Sequence, residues 1–73
     1  MNDLKPIFAS RLKELRLEKG LSTTKIAYEL GITPRAIQLY EAGKSTPHFD
    51  PLIWFAQFYN VSLDYLVGLS DIR

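Results

Sequence analysis

Arg35, Gln38, Leu39 and Ala42 recur at i, i+3, i+4 and i+7 within the stretch TPRAIQLYEAGKSTP. That spacing sets a guanidinium fork, a carboxamide and two apolar groups on one face of a helix, with no acid among them. The opposite face, Ile37 and Tyr40, is apolar and is expected in a core. A fork and an amide can make several directed hydrogen bonds at once. The chemistry on offer is therefore recognition rather than bond breaking.

Nothing else in the chain supplies a reaction centre. His48 is the one histidine, there is no cysteine, and so no metal site is expected. No histidine pairs with a nucleophile, and there is neither a close carboxylate dyad nor a glycine-rich phosphate loop. A domain of 73 residues also has little room for a deep pocket. An enzyme is rejected on these grounds, and no cofactor is expected.

The elements that position Arg35 and Gln38 follow from caps and periodicity. Thr33 before Pro34 starts a helix, because threonine caps and the missing proline N–H costs nothing there. Gly43 stops it. Pro6 opens a first helix that buries Phe8, Leu12 and Leu15 and ends at Gly20 with Lys19 in its last turn. Ser22 caps a second, which buries Ile26, Ala27 and Leu30 and ends at Gly31. Asp50-Pro51 reads as cap and first residue of a fourth, whose stripe is Leu52, Phe55, Ala56 and Tyr59. Ser62 caps a short fifth helix with Leu63, Leu66 and Val67 inward, ending at Gly68. Residues 69–73 are expected to be loose. Strand signals are absent, so the fold class is all-α: a compact five-helix domain spanning 1–73.

Composition bounds the rest. A hydrophobic content of 47% is enough to pack one small core without disulfides. Met1 is followed by polar residues and Pro6 rather than an apolar segment, and no run approaches a membrane span. A cytoplasmic protein is expected, with no membrane partner. The net charge of +1 demands no particular partner. Its distribution is uneven, since Lys5, Arg11, Lys13, Arg16, Lys19 and Lys25 face only Glu14 and Glu18 in residues 4–25. That pattern suits one face for a polyanion, or plain solvated helices.

Between the second and third helices stands only Gly31-Ile32-Thr33. So tight a turn makes two short helices cross steeply, and Ala27 is small enough to let the next helix approach. This is the helix-turn-helix layout, over about residues 22–42, whose second helix can lie in a DNA major groove.

The segment LSTTKIAYELGITPRAIQLYEAGKSTP resembles the lambda-repressor-like, Cro-type helix-turn-helix family, also called the XRE family. FDPLIWFAQFYNVSLDYLVGLSD resembles the helices that follow in its Gram-positive and phage members. The likeness spans roughly residues 7–71. It implies a five-helix domain, double-stranded operator DNA as partner, a homodimer, and transcriptional regulation, with repression as the expected sign.

Under this resemblance the face of the third helix becomes a base-reading surface. Arg35 is placed to reach guanine O6 and N7, Gln38 to pair with adenine or bond a phosphate, and Leu39 to meet a thymine methyl. Pro34 stands in the same row, where better-known repressors use a base-reading glutamine, so the target sequence does not carry over. Thr23, Thr24 and Lys25 occupy positions where relatives commonly have glutamine and then acids. Their loss removes negative charge beside a helix N-terminus suited to phosphate. Thr33, Lys44, Ser45 and Thr46 are the further expected backbone contacts. The resemblance also pairs Arg16 with Glu41 as a structural ion pair.

Trp54 points away from the stripe of the fourth helix, at a position usually polar in relatives. With Val61 and Tyr65 it is expected to form a dimer patch. A second reading uses the same fold as a protein-interaction module, an antitoxin or the target of an antirepressor, with the Trp54 surface meeting a different protein.

Overall fold

The computed structural model describes residues 5–73. Five helices follow one another: α1 (Lys5–Glu18), α2 (Thr23–Leu30), α3 (Pro34–Glu41), α4 (Phe49–Tyr59) and α5 (Leu63–Val67). No strand occurs among the described residues. α3 packs against both α1 and α2, and α5 lies against α1 and α4.

The core is built from the expected stripes. Phe8, Leu12 and Leu15 of α1, Ile26 and Ala27 of α2, Ile37 of α3, and Phe55, Ala56 and Tyr59 of α4 are all buried. Leu30, Leu52 and Tyr40 pack on its edge. Phe8, Tyr40 and Phe55 meet edge to face with ring centroids 5.9–6.5 Å apart, joining α1, α3 and α4. Such pairs add roughly 0.5–1.5 kcal/mol each beyond the area they bury. The third helix is thereby fixed from behind, which leaves its other face free.

The turns show why the helices stop where they do. Gly31 adopts φ +70°, and the Ile32 N–H donates to the Ala27 carbonyl at 3.0 Å. This closes α2 with a glycine in the left-handed region, where a side chain would be strained. Ile32 then packs on the core, and Thr33 caps α3 by accepting from the Ala36 N–H at 3.1 Å. Ser22 does the same for α2, accepting from Lys25 N–H at 3.0 Å.

Three expectations need correction. α4 starts at Phe49 with His48 as its cap residue, not at Asp50-Pro51, and His48 makes no capping bond through its side chain. Proline fits the third helical position as well as the first, because the opening N–H groups of a helix have no partner inside it. In α5 the inward residues are Tyr65 and Leu66, with Leu63 and Val67 only half-buried.

The third concerns the C-terminal residues, which are tied down rather than loose. Arg11 donates to the carbonyls of Tyr65 and Ser70 and to the Asp71 carboxylate. The Ser62 N–H donates to the Arg73 carbonyl at 2.8 Å, and Arg73 pairs with Glu18. Arg11 also lies over the Tyr65 ring, 4.2 Å from its centroid.

Candidate nucleic-acid interface

α3 turns Arg35 and Gln38 outward, with Leu39 half-buried and Ala42 exposed just after the helix, while Ile37 is 1% exposed on the core side. Pro34 is exposed at the first position of the helix. Among the described residues, neither the Arg35 guanidinium nor the Gln38 amide has a side-chain partner. Both sit on a helix held by its own caps and by three aromatic rings. Their donors therefore face solvent from a fixed platform.

Arg16 and Glu41 form the floor beside that platform. The guanidinium donates through Nε and Nη2 to the two carboxylate oxygens at 2.8 and 3.0 Å, and through Nη1 to the Leu21 carbonyl at 2.9 Å. Glu41 holds the Arg16 guanidinium above its ordinary pKa, chiefly through this hydrogen bonding. One arginine thus fastens the end of α1 to the end of α3 and to Leu21, two residues before α2. That is the structural role the resemblance implies.

The same pair lines an open cleft of about 280 Å³ together with Lys13, Thr23, Gln38 and Ala42. The cleft joins α1, the start of α2 and the outward side of α3. Thr23 is half-buried there, and Thr24 is exposed next to it. Beyond α3, Lys44 and Thr46 are exposed and Ser45 is half-buried. The Thr33 hydroxyl oxygen is engaged in capping.

The charges divide differently from their order in the sequence. Arg11 is turned to the C-terminal residues and Arg16 to Glu41, so neither belongs to a polyanion face. Lys25 is also compensated, by Glu29 at 3.0 Å one turn later. The negative charge missing from the first turn of α2 is thus partly restored by an acid one turn further on. Lys13, Lys19, Arg35 and Lys44 have no ion pair among the described residues. Of the basic residues in 4–25, Lys13 is the one that lines the cleft without an ion pair among the described residues.

The proposed dimer patch is rearranged as well. Tyr65 is 7% exposed and lies beneath Arg11, and Val61 packs on the core edge. Trp54, 39% exposed, instead lines a shallow groove of about 420 Å³ with Glu29, Leu30, Gln57 and Phe58. The partners of Trp54 come from α2 and from its own helix because Val61 and Tyr65 face inward. No group of three His, Cys, Asp or Glu residues able to hold a metal occurs among the described residues. No described helix is long and apolar enough to cross a membrane.

A capped helix, a three-residue turn and a second helix with an outward recognition face, all braced by three supporting helices, define a helix-turn-helix domain of the DNA-binding type. The model of the Helix-turn-helix family matches residues 12–66, and the chain belongs to that family, in its Cro- and XRE-type branch. It is 35% identical over 65 residues to YobD, an HTH-type transcriptional regulator of Bacillus subtilis, covering 89% of this chain and 58% of that one. It is 29% identical over 65 residues to RstR, the cryptic phage CTXphi transcriptional repressor of Vibrio cholerae, covering 89% and 59%. The fold matches that of the hypothetical transcription factor NHTF from Neisseria with a TM-score of 0.80 at 20% identity, over 89% of this chain and 75% of the other. The chain spans somewhat over half the length of these two regulators.

Proposed function

We propose that this chain is a sequence-specific double-stranded DNA-binding regulator of transcription that occupies an operator as a homodimer and represses. The observation that carries this reading is the outward face of α3, where Arg35 and Gln38 stand unpartnered among the described residues on a helix pinned to the core. With α3 in the major groove, Arg35 reaches guanine O6 and N7, Gln38 reaches adenine N6 and N7, and Leu39 meets a thymine methyl. Pro34 offers no donor, so the first position of the helix contributes shape alone.

Phosphates on either side hold the helix in register. Thr23 and Thr24 at the start of α2 supply hydroxyls and N–H groups, and Thr33, Lys44, Ser45 and Thr46 flank α3. Lys25 contributes less than a free lysine because Glu29 shares its charge. The Trp54 groove is the dimer surface in this reading, since two recognition helices must lie about 34 Å apart to meet successive turns of one DNA face. Occupancy of a promoter then blocks transcription.

Selection from a randomised duplex pool tests the proposal. The expected product is a pair of inverted half-sites whose centres are one helical turn apart. Placed across a promoter, that duplex lowers reporter expression when the protein is supplied. A pool that never enriches contradicts DNA reading. Enrichment with increased reporter output contradicts repression. Stable isolation with a non-identical protein and no enriched DNA supports the interaction-module reading instead.

A further inference from the structure

Residues 69–73 carry two large apolar side chains, and both face solvent: Leu69 is 70% exposed and Ile72 81%. The segment therefore gains little of the apolar burial that holds the helices together. Its hold is polar. Arg11 donates to the Tyr65 and Ser70 carbonyls and to Asp71, and Arg73 donates to both oxygens of Glu18, with Glu14 at 3.8 Å. The acids of these pairs are open to water, the Asp71 side chain being 98% exposed and that of Glu18 45%. In the Arg16–Glu41 pair the corresponding values are 13% and 9%.

The two ends of the segment are fixed differently. Its root is packed, since Gly68 adopts φ +88° and a Cβ there would lie 2.8 Å from Ile7 Cγ2. Its tip rests on Ser62. The Ser62 N–H donates to the Arg73 carbonyl at 2.8 Å and its hydroxyl to the Ile72 carbonyl at 3.3 Å. The same hydroxyl oxygen caps α5 by accepting from the Tyr65 N–H at 3.0 Å. Two guanidiniums lie over the Tyr65 ring, Arg11 at 4.2 Å and Arg73 at 5.4 Å from its centroid.

We propose that residues 69–73 form an ion-latched strap, hinged at Gly68, which opens as one unit while α1–α4 stay folded. Ionic strength sets its open population. Closed, the strap lays Arg73 over Tyr65 and supplies acceptors to Ser62 at the start of α5. Open, it frees both guanidiniums and uncovers the Tyr65 ring. Salt screens exposed pairs strongly and shielded pairs much less, so the strap responds where the Arg16–Glu41 clamp does not. Local opening of this kind falls to segments with few buried apolar contacts. The α5 end of the domain is thus a two-state element, whereas the helix-turn-helix keeps one geometry. The inference is independent of the proposed DNA-binding function.

Amide exchange of the intact chain, resolved by NMR in NaCl from about 0.05 to about 1 M, tests this. Ser62 N–H is the reporter, because its acceptor belongs to the strap. Ile37 N–H, bonded to the Thr33 carbonyl in the first turn of α3, is the reference. The Ser62 rate should rise about fivefold to tenfold over that range while the Ile37 rate holds, since two exposed pairs are being screened. Asp71→Asn and Glu18→Gln should each raise the Ser62 rate at low salt by up to about fivefold and leave a smaller further rise. The Ile37 rate in each variant establishes that the helices remain folded. A Ser62 rate that ignores salt overturns the inference, because the segment would then be held without its ion pairs. Ser62 and Ile37 rates that rise together also overturn it, since the segment would then open only with the whole domain. Ser62 protection unchanged at low salt in both variants overturns it as well.

Discussion

Arg16 and Glu41, 25 positions apart, meet through two hydrogen bonds of 2.8 and 3.0 Å that join the last turn of α1 to the last residue of α3. The same guanidinium reaches the Leu21 carbonyl, just before α2. The orientation of the two helices of the motif, and so the aim of Arg35 and Gln38, depends on a residue outside it.

Arg16→Ala leaves the Glu41 carboxylate nearly buried and unpaired. The expected loss is about 2–4 kcal/mol, between the values for exposed and deeply buried pairs. Urea unfolding followed by circular dichroism measures it. Arg16→Lys should recover only part, since an ammonium cannot reproduce the planar fork. Little or no loss in Arg16→Ala would show that the pair is solvated.

Tyr59 predicts an alkaline limit. Burial, and secondarily the Glu41 carboxylate, push its hydroxyl pKa above the ordinary value. The folded chain thus holds a proton that the unfolded chain releases above about pH 10. Its contribution is complete below that pH and declines as pH rises through it, approaching about 1.4 kcal/mol per pH unit. Urea midpoints between pH 8 and 11 should fall more steeply for the unaltered chain than for Tyr59→Phe. Equal declines would assign the alkaline response elsewhere.

Arg11 predicts a local effect. Its guanidinium joins α1 to the carbonyls of Tyr65 and Ser70 and to Asp71. Arg11→Ala should cost about 1–3 kcal/mol, because it leaves the Ser70 carbonyl without a donor and the Tyr65 carbonyl with only the Gly68 N–H. Amide exchange should rise most at Ser62 and over residues 69–73, with α3 protected as before. Uniform exchange across all helices would indicate global destabilisation rather than release of the C-terminal segment.

The parts of the fold governed by neighbours in sequence were legible. Ser22 and Thr33 declare their helices by capping chemistry, and Phe8, Leu12 and Leu15 declare a buried stripe by spacing. The Lys25–Glu29 pair was equally available at i, i+4, yet the lysine was read only against the N-terminus of its helix. Pro51 misplaced the start of α4 because several first-turn positions accept proline. A five-residue helix such as α5 has too few turns to define a stripe, so Tyr65 was assigned to the surface. The anchoring of the C-terminal residues by Arg11 spans up to 60 positions and has no local signature. Lys13 in the candidate site has the same cause, since its significance arises only when α1 is set beside α2 and α3.

In the proposed function α3 reads DNA sequence through Arg35. It is tested most directly by titrating labelled DNA from the protein's own gene neighbourhood, beside a shuffled control, at two salt concentrations with and without Arg35→Ala. Salt-sensitive binding with clear preference for the native duplex is expected. Arg35→Ala should lose about 1–3 kcal/mol of that preference while retaining most of its affinity for the shuffled duplex. A variant that keeps the full preference would rule out this role for Arg35, because the sequence would then be read by some other face of the molecule.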